Sequence, residues 1–479
     1  MSTHHQALFI GGQWVKPHSS TRFEAISAST EDVVGSAPEG DQQDIDAAVS
    51  AARRALTETA WGTMSGAERG ECLSRFADAL EKRGSELART VSMQNGMPIA
   101  TAEQLESSYS VAVLRYYASL AGTLDAEESR PSPLGFNTTV RREPVGVVGA
   151  IVPWNFPVIL SLMKIGPALA AGCSIVLKPS PETVLDCFIV AQAAEEAGLP
   201  PGVVNWVPGG RELGAYLVSH PGVDKVAFTG STGAGRAIAE ACGKLLRPVS
   251  LELGGKSAAI LLDDADLDAF IGGMPSVSLL SNGQACFSCT RILVPNARYK
   301  EVVDAVAATA SSYVVGDALD RNTQIGPMGS AMHRNRVERY IEIGKQEARL
   351  VTGGGRPASR DRGWFVQPTV FADVSNSATI AREEIFGPVL SLIAYGSDDE
   401  AIQLANDSAF GLGGTVWSRD RERALRVARR VATGTIGING YLPDLNAPFG
   451  GIKASGLGRE MGPESIAAYQ QLKSIYAMG

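Results

Sequence analysis

The first chemistry this sequence offers is a thiol and a carboxyl group, each placed where it could be used. The stretch Ser-Asn-Gly-Gln-Ala-Cys-Phe-Ser-Cys-Thr-Arg at 281–291 sets Cys286 among small and polar residues. It follows an apolar-periodic run over 270–280, so the spacing predicts a cysteine on an exposed loop just past a helix. Upstream, in Ser250-Leu-Glu-Leu-Gly-Gly-Lys-Ser257, Glu252 alternates with apolar neighbours and then meets two glycines. That pattern puts a carboxylate at a strand end. A nucleophile and a base are the minimum for covalent acyl chemistry. Taken singly, each has a plainer explanation: a cysteine in such a chain is usually a small core hydrophobe, and a glutamate a solvated face. What the surrounding elements place beside them decides the matter.

Those elements alternate. Strand patterns at 145–152, 174–177, 203–207 and 225–228 are separated by helical patterns at 156–171, 182–197, 211–218 and 234–242. This is the signature of a doubly wound parallel sheet, an α/β fold in which ligands bind at the carboxyl ends of strands. The first strand exit reads Pro153-Trp-Asn-Phe-Pro157, two prolines around one amide that could donate to a developing oxyanion. The second gives Lys178-Pro-Ser, a cation suited to ribose hydroxyls or a phosphate. The fourth gives Phe228-Thr-Gly-Ser-Thr-Gly-Ala-Gly235, where free N–H groups at a helix start favour a pyrophosphate. Its glycines do not keep the dinucleotide spacing, so a simple tight turn fits equally well. Gly254-Gly-Lys-Ser257 is no nucleotide-triphosphate loop, because Ser250 stands where that motif needs glycine.

A second alternation follows, with strands near Ala258, Ile292, Val389, Leu412 and Thr435. It is long enough for a second α/β domain carrying Cys286, with Glu252 at the junction and a cleft between the two as the default site. The first part of the chain reads as a hairpin at 11–14 and helices at 44–57, after the capping box Ser65-Gly-Ala-Glu68, and over 99–120. These helices are read as packing. The stretches 136–144 and 465–479 look like exposed strands that pair either between subunits or with each other.

Composition excludes other classes. The 479 residues are 44% hydrophobic, and 43 basic against 51 acidic residues leave a net charge of -8, so no basic patch invites nucleic acid. The apolar window 146–177 is interrupted by Pro153, Asn155, Pro157, Lys164 and Pro167, which excludes a membrane span. The start shows no secretory pattern, and six scattered cysteines suit free thiols in a reducing, cytoplasmic setting. Cys286 and Cys289 form a C-x-x-C, but no second pair and no nearby histidine completes a metal site.

Seven segments standing in order, Pro153-Trp-Asn-Phe-Pro157, Lys178-Pro-Ser, Phe228-Thr-Gly-Ser-Thr-Gly, Glu252-Leu-Gly-Gly-Lys, Gly283-Gln-Ala-Cys286, Glu384-Ile-Phe-Gly-Pro388 and Pro448-Phe-Gly-Gly-Ile-Lys-Ala-Ser-Gly456, resemble the NAD(P)-dependent aldehyde dehydrogenase superfamily over nearly the whole chain. The resemblance implies a Rossmann-type cofactor domain (1–125 and 146–253), an α/β catalytic domain (254–455) and a small β oligomerisation arm (126–145 and 456–479), and with them a homo-oligomer. It makes Cys286 the nucleophile toward an aldehyde, Asn155 with the Cys286 N–H the oxyanion donors, and Glu252 the base that hydrolyses the thioester. Lys164 and Glu460 become a proton-exit pair behind Glu252, or equally a structural ion pair.

Cofactor contacts fall to Trp154, Lys178, Gly209, Phe228, Gly230, Ser231, Thr232, Gly233, Ala234, Gly235, Leu253, Glu384 and Phe386. The substrate wall falls to Phe156, Leu160, Met163, Leu280, Phe287 and Phe449, apolar throughout, which favours aliphatic, terpenoid or aromatic aldehydes over semialdehydes of dicarboxylic acids. Pro181 stands where NAD-preferring relatives often carry Glu, so NAD is favoured only modestly and NADP stays open. Cys289 raises the prospect of a reversible disulfide with Cys286. Three other readings compete: transfer of the thioester to coenzyme A, a catalytically silent scaffold, and a cysteine hydrolase, which lacks a histidine motif.

Overall fold

The computed structural model of the protein describes residues 3–124 and 126–477. Its centre is an eight-stranded sheet in the order Gly456–Leu457, Val249–Glu252, Lys225–Thr229, Val147–Ile151, Ser174–Lys178, Val204–Trp206, Leu8–Ile10, Gln13–Val15. The five middle strands run parallel, and nearly every residue in them is buried. Strands covered by helices on both faces read as continuous Val/Ile/Leu runs, and that is how these read. The chain visits Val147–Ile151 first, then adds strands on one side of it and afterwards on the other. The order therefore reverses at that strand, where a doubly wound sheet opens a crevice.

The second sheet has seven strands, Arg349–Thr352, Thr369–Ala372, Val389–Tyr395, Arg291–Pro295, Ala258–Leu261, Gly414–Trp417 and Gly437–Ile438, parallel except for the first. Its last two strands start slightly beyond the expected Leu412 and Thr435, because Gly411 to Gly414 first turn against Ile452 and Tyr441. Strands leave the first sheet toward the crevice, whereas Cys286 precedes its own strand, Arg291–Pro295. The crevice thus has carboxyl ends of one sheet on one side and strand entrances of the other on the opposite side.

The Gly11-Gly12 hairpin forms with both glycines left-handed (φ 65° and 77°), as a tight turn between two-residue-linked strands requires. The capping box Ser65–Glu68 starts the helix Gly66–Glu81. The run expected as one helix over 99–120 is continuous but not regular: Ile99–Ala102 and Ser110–Ala121 are α-helical and Glu103–Tyr109 between them is π-helical. The two exposed stretches pair within the chain, Asn137–Pro144 lying antiparallel between Glu127–Pro131 and Gln470–Tyr476. Met478 and Gly479, at the end of the second stretch, lie outside the described residues.

Arg291 locks the second sheet to the loops above it. Its fully buried guanidinium donates to Lys256 O at 2.9 Å, to Leu404 O, Ala405 O and Asn376 Oδ1 at 3.0 Å, and burial lowers its pKa to about 10. Four acceptors share one side chain, and Leu404 O also accepts from Asn376 Nδ2, at 3.3 Å. Arg291→Met is expected to cost about 2–4 kcal/mol, the scale of stranding buried acceptors, and to lower the apparent melting temperature measurably in a thermal scan.

Candidate active site

The loop that carries Cys286 is buried, not exposed as the sequence spacing predicts. After the helix Leu267–Val277 the backbone turns through three left-handed residues, Ser281 (φ 49°), Asn282 (φ 64°) and Gly283 (φ 75°). Such a run is costly for residues with a Cβ and is held here by side-chain bonds. Asn282 donates to Gly96 O and Pro327 O at 2.9 Å each and accepts from Gly326 N–H at 2.7 Å. Gln284 accepts from Gly329 N–H at 2.9 Å. The result is a fixed pedestal that presents Cys286, half-buried, to a cavity of about 490 Å³.

That cavity brings together Cys286, Glu252 and Asn155, three residues far apart in the chain. Asn155 follows the strand at which sheet order reverses, and its amide donates one N–H to Gln284 O at 2.8 Å. This bond fixes the plane of the amide and leaves its second N–H for the cavity. Glu252 ends the strand Val249–Glu252 and is buried, with neither carboxyl oxygen hydrogen-bonded among the described residues. Oε1 lies 2.5 Å from where a Cβ on Gly450 would stand, so only glycine leaves it room.

Burial pushes the Glu252 carboxyl well above the carboxylate range, and the charge of Glu460 adds to this, against Lys164 and Arg459. Behind Glu252, Lys164 Nζ pairs with Glu460 at 2.6 Å, and the second Glu460 oxygen is buried without a partner among the described residues. Burial also raises the Cys286 thiol, with Glu384 and Glu252 acting in the same direction. Burial thus favours the protonated form of both groups. The arrangement can still shuttle a proton, since a carboxyl between a thiol and an ion pair gives it two directions to go.

The cofactor half fits a dinucleotide. Ser231 caps the helix Thr232–Lys244, accepting from Ala234 N–H at 3.3 Å, and residues 231, 233 and 234 are exposed, so the N-terminal N–H groups stand open to an anion. A Cβ on Gly230 would come within 2.5 Å of the Phe228 ring, and one on Gly235 within 2.6 Å of Leu253. Those two glycines and two apolar residues form the floor of a close backbone cradle. Thr232 Oγ1 donates to Ala454 O at 3.0 Å, and a Cβ built on Gly233 would meet nothing within 4 Å among the described residues, so this position stays open to a ligand. Lys178 donates to Pro179 O and Gly209 O at 2.9 and 2.7 Å, and burial brings its pKa down to about 8. Glu384 accepts from Gly255 N–H at 2.9 Å, with burial raising it to about 7. Trp154 and Phe386 meet edge to face at 5.6 Å beside it.

All six expected substrate residues, Phe156, Leu160, Met163, Leu280, Phe287 and Phe449, line the cavity. Of the expected cofactor residues, Trp154, Gly230, Ser231, Leu253, Glu384 and Phe386 line it too. Lys164 and Glu460 stand behind the wall, and Lys178, Gly209, Phe228, Thr232, Gly233, Ala234 and Gly235 lie outside it along the adjoining cradle.

One expectation fails, and the disulfide is not formed here: Cys289 is fully buried against Thr415 under the second sheet, Cys286 lines the cavity, and both thiols are free. The helices read as packing also contribute: Gln104, Leu105 and Tyr109 of the π-helical segment line the cavity, and Tyr109 OH donates to Pro443 O at 2.9 Å across its mouth. The sequence reading also missed His333, Arg336 and Tyr441. His333 packs against Trp154 and Phe386, at 5.0 and 5.7 Å between rings, and bonds Phe386 O at 2.6 Å. The spacing of His333 and Arg336 on one helix face was a usable signal, as was the place of Tyr441 just past a strand exit.

Comparison with known proteins agrees with this geometry. A family model described as "Aldehyde dehydrogenase family" matches residues 14–475. A geranial dehydrogenase of Castellaniella defragrans is 66% identical over 479 residues, covering 100% of both chains. The crystal structure of an aldehyde dehydrogenase of Mycobacterium tuberculosis complexed with NAD+ superposes with a TM-score of 0.98 at 44% identity, over 100% of this chain and 99% of the other. A mutant of aldehyde dehydrogenase C from Pseudomonas syringae, complexed with NAD+ and octanal, gives 0.95 at 38% identity, over 98% and 96%. With a thiol, a buried carboxyl and an amide gathered at a cradle for a dinucleotide, and with sequence and fold matched from end to end, the chain belongs to the aldehyde dehydrogenase family.

Proposed function

We propose that the protein oxidises an apolar aldehyde, of the terpenoid or medium-chain class, to its carboxylic acid with NAD. The observation that carries the substrate class is the wall of the cavity. The charged members of its lining among the described residues are Glu252, Arg336 and Glu384, which surround the base and the cofactor half. Most of the side chains on the substrate half are apolar, Phe156, Leu160, Met163, Leu280, Phe287 and Phe449 with Ile159, Leu105, Tyr441 and Leu442, and its polar members, such as Gln104 and Ser276, are neutral. A substrate carboxylate would enter this wall without a partner, at several kcal/mol. The relative named for geranial and the neighbour holding octanal support the same class. The part of the chain around the eight-stranded sheet takes the cofactor, and the part around the seven-stranded sheet carries the nucleophile. Apolar side chains on the outer strand Gln470–Tyr476, Leu472 and Tyr476 at 67% and 66% exposure, support assembly into a homo-oligomer.

Cys286 loses its thiol proton to solvent and adds through sulfur to the aldehyde carbon, and the carbonyl oxygen becomes an oxyanion held by the free N–H of Asn155 and the Cys286 backbone N–H. NAD, when bound, would supply the hydride acceptor for this adduct. Lys178 and Glu384 would hold its riboses, and the open helix start at 231–234 its pyrophosphate. Glu252, once ionised, takes a proton from the attacking water, and the C–S bond breaks as the acid forms. Lys164 and Glu460 carry that proton away from Glu252.

Three outcomes check this reading. In an NADH-release assay, citral and octanal give kcat/KM at least about tenfold above succinate semialdehyde, the order of discrimination expected for an apolar pocket; the reverse order sinks the substrate class. Cys286→Ala forms no acid, while Glu252→Gln yields one equivalent of NADH and stalls, without relief by added coenzyme A. Because the Glu252 pKa lies above the carboxylate range, the base form gains population as pH rises. Hydrolysis of the thioester, followed after a single turnover, is therefore expected to speed up with pH through a midpoint well above about 4.3, the ordinary glutamate value.

A further inference from the structure

The turn at 153–157 serves two demands at once. It starts the helix Pro157–Ala171, whose first N–H groups have no partner inside the helix. It also shows Trp154, Asn155 and Phe156 in succession to the cavity. The N-cap position is Phe156, which makes no side-chain cap bond. A Ser, Thr, Asp or Asn there would cap the helix but remove part of the apolar wall.

The missing acceptor comes from another element. Glu106 Oε2 accepts from Val158 N–H at 2.8 Å, and the same carboxyl bonds Ile159 N–H. Pro157, at the first helical position, has no N–H to satisfy. Glu106 is fully buried, pairs with no cation, and leaves Oε1 without a partner among the described residues. Burial raises it to about 8, and Asp186 close by adds to the shift. Packing alone gives no reason to bury such a group. Glu106 lies in the π-helical turn Glu103–Tyr109, where the wider register sends it to the helix start while Gln104, Leu105 and Tyr109 reach the cavity. From the other side Asn95 Nδ2 donates to Trp154 O and Asn155 O at 3.1 Å each. The backbone of Asn155 is thus gripped at its carbonyl by one element and, three residues on, at the N–H groups by another.

We propose that Glu106 is a positioning residue for the oxyanion-binding amide of Asn155, capping from a separate π-helical turn the helix that Asn155 precedes. The inference rests on the reading of Asn155 as the oxyanion donor. Glu106 touches neither substrate nor cofactor, so its loss acts on the rate and leaves cofactor affinity alone. A donor displaced by about 1 Å costs on the order of a hundredfold in rate.

The test is a double-mutant cycle with Glu106→Ala and Asn155→Ala, read as kcat, KM for NAD and apparent melting temperature. The expected result is that E106A lowers kcat by about thirtyfold or more with KM for NAD unchanged, and that adding E106A to N155A lowers kcat by less than about threefold. E106Q, which keeps an acceptor for Val158 N–H, restores most of the lost rate. Should E106A fail to fold, E106D, with the carboxyl retracted by one methylene, is read in the same cycle. Equal losses from E106A in both backgrounds, or an unchanged kcat in the wild-type background, overturn the proposal. A wild-type kcat in N155A itself overturns instead the reading of Asn155, which keeps the two failures apart.

Discussion

A hydrogen bond between two loops joins the halves of the site at the reacting groups. Asn155 Nδ2 donates to Gln284 O at 2.8 Å, tying the loop that leaves the first sheet to the loop that enters the second. The distance between the amide and Cys286 is set by this contact and by the short, rigid path from Gln284 to Cys286. Every other restraint described above supports one end of it: Asn95 and Glu106 hold the Asn155 backbone, while Asn282, Gln284 and three left-handed residues hold the cysteine loop. Reactive geometry in an apolar cavity needs such over-determination, because the cavity wall itself is non-directional.

The electrostatics are arranged by what is withheld. Among the described residues Glu252 has no donor to stabilise its anion, and burial together with the charge of Glu460 favours its protonated form. The Cys286 thiol is likewise held up by burial and by two acidic neighbours. The cost of burying Glu252, Glu106, Asp186 and Glu384 is concentrated around one crevice, where shifted carboxyl groups mark function more often than packing.

Much of this was legible in the chain. Parallel strands buried on both faces wrote themselves as apolar runs, and the rule that ligands bind at strand exits led straight to Asn155, Lys178, Gly230 and Glu252. Cys286 was found for the right reason, a helix ending in small residues, but its loop was read as exposed. The left-handed turn at 281–283 and the pedestal of Asn282 and Gln284 are tertiary features that local composition does not announce. The π-helical segment was missed for a similar reason. Its apolar spacing over 99–120 matches an ordinary helix, and only the buried partner of Glu106 shows that one residue has been squeezed out of register.

The apolar wall has a consequence for turnover. In the proposed reaction an aldehyde enters it neutral and leaves it as an anion, so the chemistry would convert a molecule the wall shelters into one it cannot solvate. With Phe156, Phe287 and Phe449 offering no cation, the acid so formed would be repelled from the place where it is made. On that reading the lining that selects what comes in would also act as a ratchet, easing exit of each finished molecule and discouraging its return.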